Sequence, residues 1–292
     1  MRLFFAVVMT GKRVLVTGGN TGIGKWTAIG LAERGAAVVV HARSPEKGRA
    51  AVEEIRRRAR GAEVELVLAD LSSLADVRRL AAEVRDRWDR LDVLVNNAGL
   101  ISSRRLETAD GFESTFAVNH LAPFLLTNLL LDRIVESAPA RIVTVASRAH
   151  LRGALDFDDL DCRRAYDPMD AYGRSKLANI LFTRELASRL QGSGVTANCL
   201  HPGVVRSDFG AGGELAGVMG IGWRLMQPFL LSPRQGAETS IYLASSPDVE
   251  GTSGEYFDRR RVARTSSQAR DMEAAARLWR LSAERVGLPS GS

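Results

Sequence analysis

Arg13-Val14-Leu15-Val16-Thr17-Gly18-Gly19-Asn20-Thr21-Gly22-Ile23-Gly24 joins a β-branched run to a glycine-rich turn. The run is short and wholly apolar, the pattern of a strand buried on both faces. Ala28, Ile29, Leu31 and Ala32 then recur at helical spacing until Gly35. Strand, turn and helix in that order give a glycine motif its meaning. Glycines let backbone N–H groups approach a pyrophosphate, and the helix N-terminus adds a positive dipole. The spacing Thr-Gly-x-x-x-Gly-x-Gly differs by one residue from the usual dinucleotide fingerprint, but its context is that of a dinucleotide site. Gly18, Asn20, Thr21, Gly22, Ile23 and Gly24 are its candidate contacts.

Outward from this turn the alternation continues. Strand patterns recur at 36–40, 63–69, 91–95, 141–146, 195–200 and 254–257. Helical patterns occupy 45–60, the stretch capped by Ser72 or Ser73, 110–135 (Asn119 in its middle, Pro123 as a kink), 170–191, 234–244 and 269–286. Repeats and low-complexity linkers are absent. This is the pattern of an α/β chain with one doubly wound parallel sheet of Rossmann type, a single domain over residues 12–292. Residues 1–11 form an N-terminal extension, either an added strand or arm or an upstream leader to Met9. It is too short to span a bilayer, so no membrane anchor is expected. The segment 208–231, glycine-rich and then apolar, is either a small helical lid over a hydrophobic substrate or a helical pair packed on the body or another subunit.

In such a sheet the ligand crevice lies beyond the strand carboxyl ends. Gly18, Asn97, Ser147 and Pro202 all fall at such ends. The second strand runs into His41-Ala42-Arg43-Ser44 with no acid to bind a ribose hydroxyl. Arg43 there, with Lys25 opening the preceding helix, suits a 2′-phosphate, so NADP(H) is the expected cofactor.

Ala171-Tyr172-Gly173-Arg174-Ser175-Lys176-Leu177-Ala178-Asn179 carries the second motif. Tyr172 and Lys176 are four residues apart on a helical pattern, hence on one face. An ammonium beside a phenol favours the phenolate, which is expected to lower the Tyr172 pKa toward the working range. Of 40 basic residues only Lys12, Lys25, Lys47 and Lys176 are lysines, so a titratable cation has been kept here in an arginine-rich chain.

The net charge of +6 and pI near 9.8 do not mark a nucleic-acid binder. The arginines are interleaved with acids along helix faces, as in Glu53-Glu54-Ile55-Arg56-Arg57-Arg58. Cys162 and Cys199, with four scattered histidines, form no disulfide framework and no metal pattern, which points to a reducing, cytoplasmic setting.

The chain resembles the short-chain dehydrogenase/reductase family over nearly its whole length. The motifs that carry the resemblance are Thr17 to Gly24, Asn96-Asn97-Ala98-Gly99, the set Asn119, Ser147, Tyr172 and Lys176, and Pro202-Gly203. The stretch Ala171 to Thr183 and Leu200-His201-Pro202-Gly203-Val204-Val205 look most like the retinol dehydrogenase/retinal reductase group. The resemblance implies a catalytic tetrad. Tyr172 exchanges a proton with the substrate oxygen, and Ser147 holds that oxygen. Lys176 binds the nicotinamide ribose, and Asn119 holds a water on a proton path. It also implies that Asp70 and Leu71 meet the adenine and Arg43 the 2′-phosphate. Asn97, Ala98 and Gly99 then line the ribose side, while Pro202, Gly203, Val205 and Ser207 hold the nicotinamide carboxamide. Ser207 replaces the family's usual Thr and retains the hydroxyl. The substrate implied is a small lipophilic carbonyl or alcohol, acted on by a homodimer or homotetramer. Two other readings stay open: a non-catalytic NADP-binding sensor or interaction protein, and reduction of a conjugated double bond at the same site.

Overall fold

The computed structural model describes residues 9–206 and 230–289. The extension before Met9, Ser207 and nearly all of the 208–231 segment lie outside these residues. Eight strands form one sheet in the order β3-β2-β1-β4-β5-β6-β7-β8. In chain order they are β1 (Arg13–Val16), β2 (Ala37–Ala42), β3 (Val64–Leu68), β4 (Val93–Asn96), β5 (Ala140–Val145), β6 (Val195–His201), β7 (Tyr256–Asp258) and β8 (Arg261–Val262). The first seven run parallel, and β8 turns back antiparallel to β7.

Side chains of a strand point alternately to its two faces, and the core divides accordingly. Val14, Val16, Val93 and Val95 pack under α1 (Gly22–Ala32), α2 (Pro45–Arg58) and α7 (Pro233–Ser245). Leu15, Leu94 and Ile142 face the opposite layer of α3 (Leu74–Arg87), α5 (Ala122–Glu136), α6 (Pro168–Arg189) and α8 (Met272–Arg285). Trp279 of α8 lies against Phe124 and Phe182, with ring centroids 4.9 and 5.8 Å away, and so covers α5 and α6 from within the same chain.

Local signals set the helix starts. Ser44, Ser73, Asp167, Ser232 and Asp271 each accept a hydrogen bond from a backbone N–H of the first turn. The helix expected over 110–135 differs from its pattern. Glu113 caps a short α4 (Ser114–Phe116), a π turn occupies Ala117–Leu121, and only then does α5 begin. Asn119 therefore sits in the π turn, and the break in the helix belongs to that turn, with Pro123 just inside α5. The stretch 114–136 is apolar and long enough to cross a membrane by composition, yet 83% of that window is buried in the fold.

The antiparallel β8 was not foreseen. Asp258 pairs with Arg261, so β7 and β8 are joined by two residues, Arg259 and Arg260, at φ of 49° and 63°. Such a hairpin turn normally takes Asn-Gly or Asp-Gly. Two arginines in left-handed conformation cost about 1–2 kcal/mol each.

Candidate active site

Helix α1 differs from the other long helices that begin after a loop. Thr21 precedes it in extended conformation without a side-chain cap, and its first turn holds no acid. Its leading N–H groups are thus left for an anion. Gly24 admits no side chain: a Cβ there would lie 2.3 Å from the Gly18 carbonyl oxygen and 2.4 Å from Asn97 Nδ2. Gly22 is left-handed, at φ 52°. Asn20 and Thr21 lie on the open side of this turn, half-buried and exposed respectively. The cradle fits a pyrophosphate.

Residues that the sequence scatters hold the cradle in place. Thr17 Oγ1 accepts from the backbone of Asn97 (2.9 Å) and Ala98 (3.1 Å), and Asn97 Nδ2 donates to the Thr17 carbonyl at 2.8 Å. The N–H of Gly18 donates to His41 Nδ1 at 3.1 Å, which leaves Nε2 to donate to the Ala69 carbonyl. Burial takes the His41 pKa down to about 4, so the ring is neutral in this role. Gly236 of α7 lies where Ile23, Pro202 and Val205 meet; a Cβ there would be 3.2 Å from Ile23 and 2.6 Å from Val205. Thr17 was read only as part of the glycine motif, and His41 and Gly236 were given no role, since each acts across more than 20 residues of chain.

Arg43 follows β2 directly, exposed and without a side-chain partner among the described residues. Lys25 does not stand beside it as expected. It is bound to Glu54 at 2.7 Å, tying α1 to α2, and the phosphate argument passes to Arg43 alone. Asp70 ends β3 with one oxygen accepting from Ser72 N–H and Oγ, and the Leu71 side chain turns into the core.

Asn119 accepts from the Leu100 N–H at 2.7 Å and donates to the Leu100 carbonyl and to Ser175 Oγ, each at 2.9 Å. Gly99 lies against it, a Cβ there being 3.1 Å from Asn119 Oδ1 and 3.5 Å from Lys176 Nζ. Lys176 Nζ donates to the Val145 carbonyl at 2.9 Å and stands 5.5 Å from the Tyr172 ring centroid. The Tyr172 phenol hydrogen-bonds the Ser147 side chain. Behind Ser147 a 3-10 turn (Arg148–Leu151) meets α6 backbone to backbone: a Cβ on Gly153 would sit 2.3 Å from the Gly173 carbonyl oxygen. His150 Nδ1 takes the Ser147 carbonyl at 2.6 Å, fixing the start of that turn.

Asn119, Ser147, Tyr172 and Lys176 are thus brought together at the carboxyl edge, with Gly203 and Val205 on its far side against Leu231. One expectation is reversed. Burial pushes the Tyr172 phenol up to about 12, the Ser147 hydrogen bond pulling weakly the other way, and burial takes Lys176 down to about 8. Desolvation is the largest influence on both groups, and Lys176 Nζ spends a hydrogen bond on the Val145 carbonyl. The arrangement is a protonated phenol held by a serine hydroxyl, beside a cation that a small change of surroundings can titrate.

The family model described as short chain dehydrogenase matches residues 12–213. Retinol dehydrogenase 12 of Mus musculus is 46% identical over 99% of this chain and 92% of its own length. Retinol dehydrogenase 13 of Homo sapiens is 46% identical over 97% and 86%. Among solved structures, an uncharacterized protein from Mycobacterium paratuberculosis superposes with a TM-score of 0.78 at 34% identity, covering 96% of this chain and 95% of that one. The Pseudomonas aeruginosa RhlG/NADP active-site complex gives 0.69 at 28%, covering 86% and 96%. Motifs, sheet order and relatives agree: the chain belongs to the short-chain dehydrogenase/reductase family, in its retinol dehydrogenase group.

Proposed function

We propose that this chain is an NADP(H)-dependent oxidoreductase that interconverts a carbonyl and an alcohol on a small lipophilic molecule, running as an aldehyde or ketone reductase. The observation that carries this is the Tyr172–Ser147 hydrogen bond beside Lys176, across the sheet edge from the uncapped α1 turn. NADPH, when bound, supplies the hydride. Tyr172, protonated at neutral pH, gives its proton to the carbonyl oxygen, and Ser147 Oγ orients that oxygen. Asn119 pins Leu100 and Ser175 so that Gly99 can lie close to Lys176, whose charge beside the Tyr172 ring steadies the phenolate until a proton returns from solvent. The tetrad favours catalysis over a sensor role, since cofactor binding alone needs neither Tyr172 nor Ser147.

Two neighbours support the choice of NADP: the RhlG structure is an NADP complex, and the Beutenbergia cavernae gluconate 5-dehydrogenase-like structure has NADP bound. Within this chain the support is Arg43 at the end of β2, where no carboxylate stands. NADPH is therefore expected to bind more tightly than NADH in a fluorescence titration, and Arg43→Asp to weaken NADPH by roughly tenfold or more. Tighter NADH binding in the unaltered protein overturns the cofactor assignment. The reaction itself is tested by NADPH consumption over a carbonyl panel that includes retinal and bulky polycyclic ketones, and silence across the panel with NADPH bound would sink the reductase reading. A homodimer or homotetramer is part of the same reading. A cytoplasmic location is part of the same proposal.

A further inference from the structure

A solvent-open cavity of about 490 Å³ lies on the carboxyl edge, lined by exposed Arg148, Arg259 and Arg261 and half-buried Asp258. Arg148 is the neighbour of Ser147, so its Cα lies about 3.8 Å from that of the serine. Its N–H donates to His201 Nδ1 at 3.4 Å, and His201 is paired with Asp258 across β6 and β7. The cavity thus lies at the carboxyl ends of β5, β6 and β7, one residue along the chain from Ser147. Three guanidinium groups face one carboxylate, and none of the three has an ion pair among the described residues.

Arginine is common throughout this chain, so its presence alone carries nothing. The turn does. Arg259 and Arg260 occupy left-handed positions that Asn or Gly would fill without strain. Arg260 is engaged with Glu238 at 3.9 Å, which leaves Arg259 on the cavity wall. Strain of this kind persists where the geometry serves a ligand, and arginine's planar fork matches a carboxylate or phosphate.

We propose that this cavity receives an anionic group, a carboxylate or phosphate, at the mouth of the carbonyl site. The inference rests on the reductase reading and narrows its substrate class to carbonyl compounds with an apolar body and an anionic end. A free anion of the same chemistry would occupy the same place.

The test uses the full-length protein with saturating NADPH. Aldehydes ending in a carboxylate, over a series of chain lengths, are compared with their methyl esters. At the length that spans Ser147 to the cavity, kcat/KM is expected to favour the acid, and Arg259→Asn and Arg261→Gln each to cut it by about fivefold while leaving the ester unchanged. Asn suits a left-handed position, so Arg259→Asn is expected to hold or raise Tm, which removes unfolding as an explanation. A second arm measures Tm in sodium pyrophosphate against chloride at equal ionic strength: a rise of a few degrees in the unaltered protein, lost in both variants, reads binding without turnover. Acid preference with the pyrophosphate effect assigns the anion to the substrate, and the pyrophosphate effect alone assigns it to a free anion. If neither is seen, or if both survive the two substitutions, the site is overturned. Loss of turnover on every aldehyde with the pyrophosphate effect intact counts against the reductase reading and leaves the anion site standing.

Discussion

Tyr172→Phe is expected to leave NADPH bound with near-unchanged affinity and to lower turnover by about 10²–10⁴-fold, the range for removing a positioned acid–base group. The substitution deletes one oxygen. The ring keeps its place on α6, and the backbone contact between Gly153 and Gly173 that sets the distance to Ser147 is untouched. The nucleotide cradle is built from β1, β2 and α1, with Asn97 behind it, and does not involve the phenol. Binding and turnover should therefore separate. The direction of the pKa shift adds a second readout. A phenol pushed up to about 12 stays protonated at neutral pH: the proton is in place for reduction, though on a weaker acid than a free phenol, and the phenolate that oxidation needs is scarce. Reduction should vary little between pH 6 and 8, whereas the reverse oxidation should climb with pH. Equal loss of NADPH affinity and turnover in Tyr172→Phe would return the site to a structural role.

That Asn119, Ser147, Tyr172 and Lys176 meet at one sheet edge was legible because these residues are local to one helix or sit at strand ends. Tyr172 and Lys176 share a helix face by spacing alone, and Ser147 falls two residues past the end of β5. The glycine turn was legible because close backbone approach at Gly24 leaves no other residue type. What the sequence hid are effects that need the third dimension. The π turn at Asn119 depends on its paired hydrogen bonds to Leu100, 19 residues away. Lys25 looked free until α2 brought Glu54 beside it. The charge argument at Tyr172 had the right partners and the wrong sign, because burial is invisible to spacing and here is the largest influence on both groups. The Arg259-Arg260 hairpin carries no turn signal at all.

The four histidines, scattered in sequence, make the second large prediction: the fold should lose much of its stability in mild acid. His41, His120 and His201 are buried and neutral, their pKa values taken down from 6.5 to about 4, about 3 and about 4 by desolvation. His150 is shifted in the same direction by the same cause. A histidine whose folded pKa lies below its unfolded value binds fewer protons when folded between those two limits. Its stabilising contribution is whole above pH 6.5 and is lost as the pH falls toward 4. At pH 5 each such ring costs roughly 2 kcal/mol, and the three with resolved values about 6 kcal/mol, against a total stability of 5–15 kcal/mol typical of a folded domain. Three of the four stand directly behind the site. His41 accepts from Gly18, His150 holds the Ser147 carbonyl, and His201 accepts from Arg148. Protonating His41 removes the acceptor that orders the nucleotide turn, so NADPH affinity should fall in step with stability. Urea titrations at pH 7.5 and 5.0, followed by circular dichroism, should show that loss of about 6 kcal/mol. His120 offers the internal control: it sits among Phe116, Phe124 and Phe182, with Ser282 Oγ at 2.8 Å from Nε2 and the Asn179 side chain as a further hydrogen-bond partner. His120→Leu combined with Ser282→Ala should keep the fold at pH 7.5 and recover roughly 2 kcal/mol of the loss at pH 5.0. A stability flat from pH 7.5 to 5.0, or one whose fall the double variant leaves unchanged, would show that the buried rings do not control it.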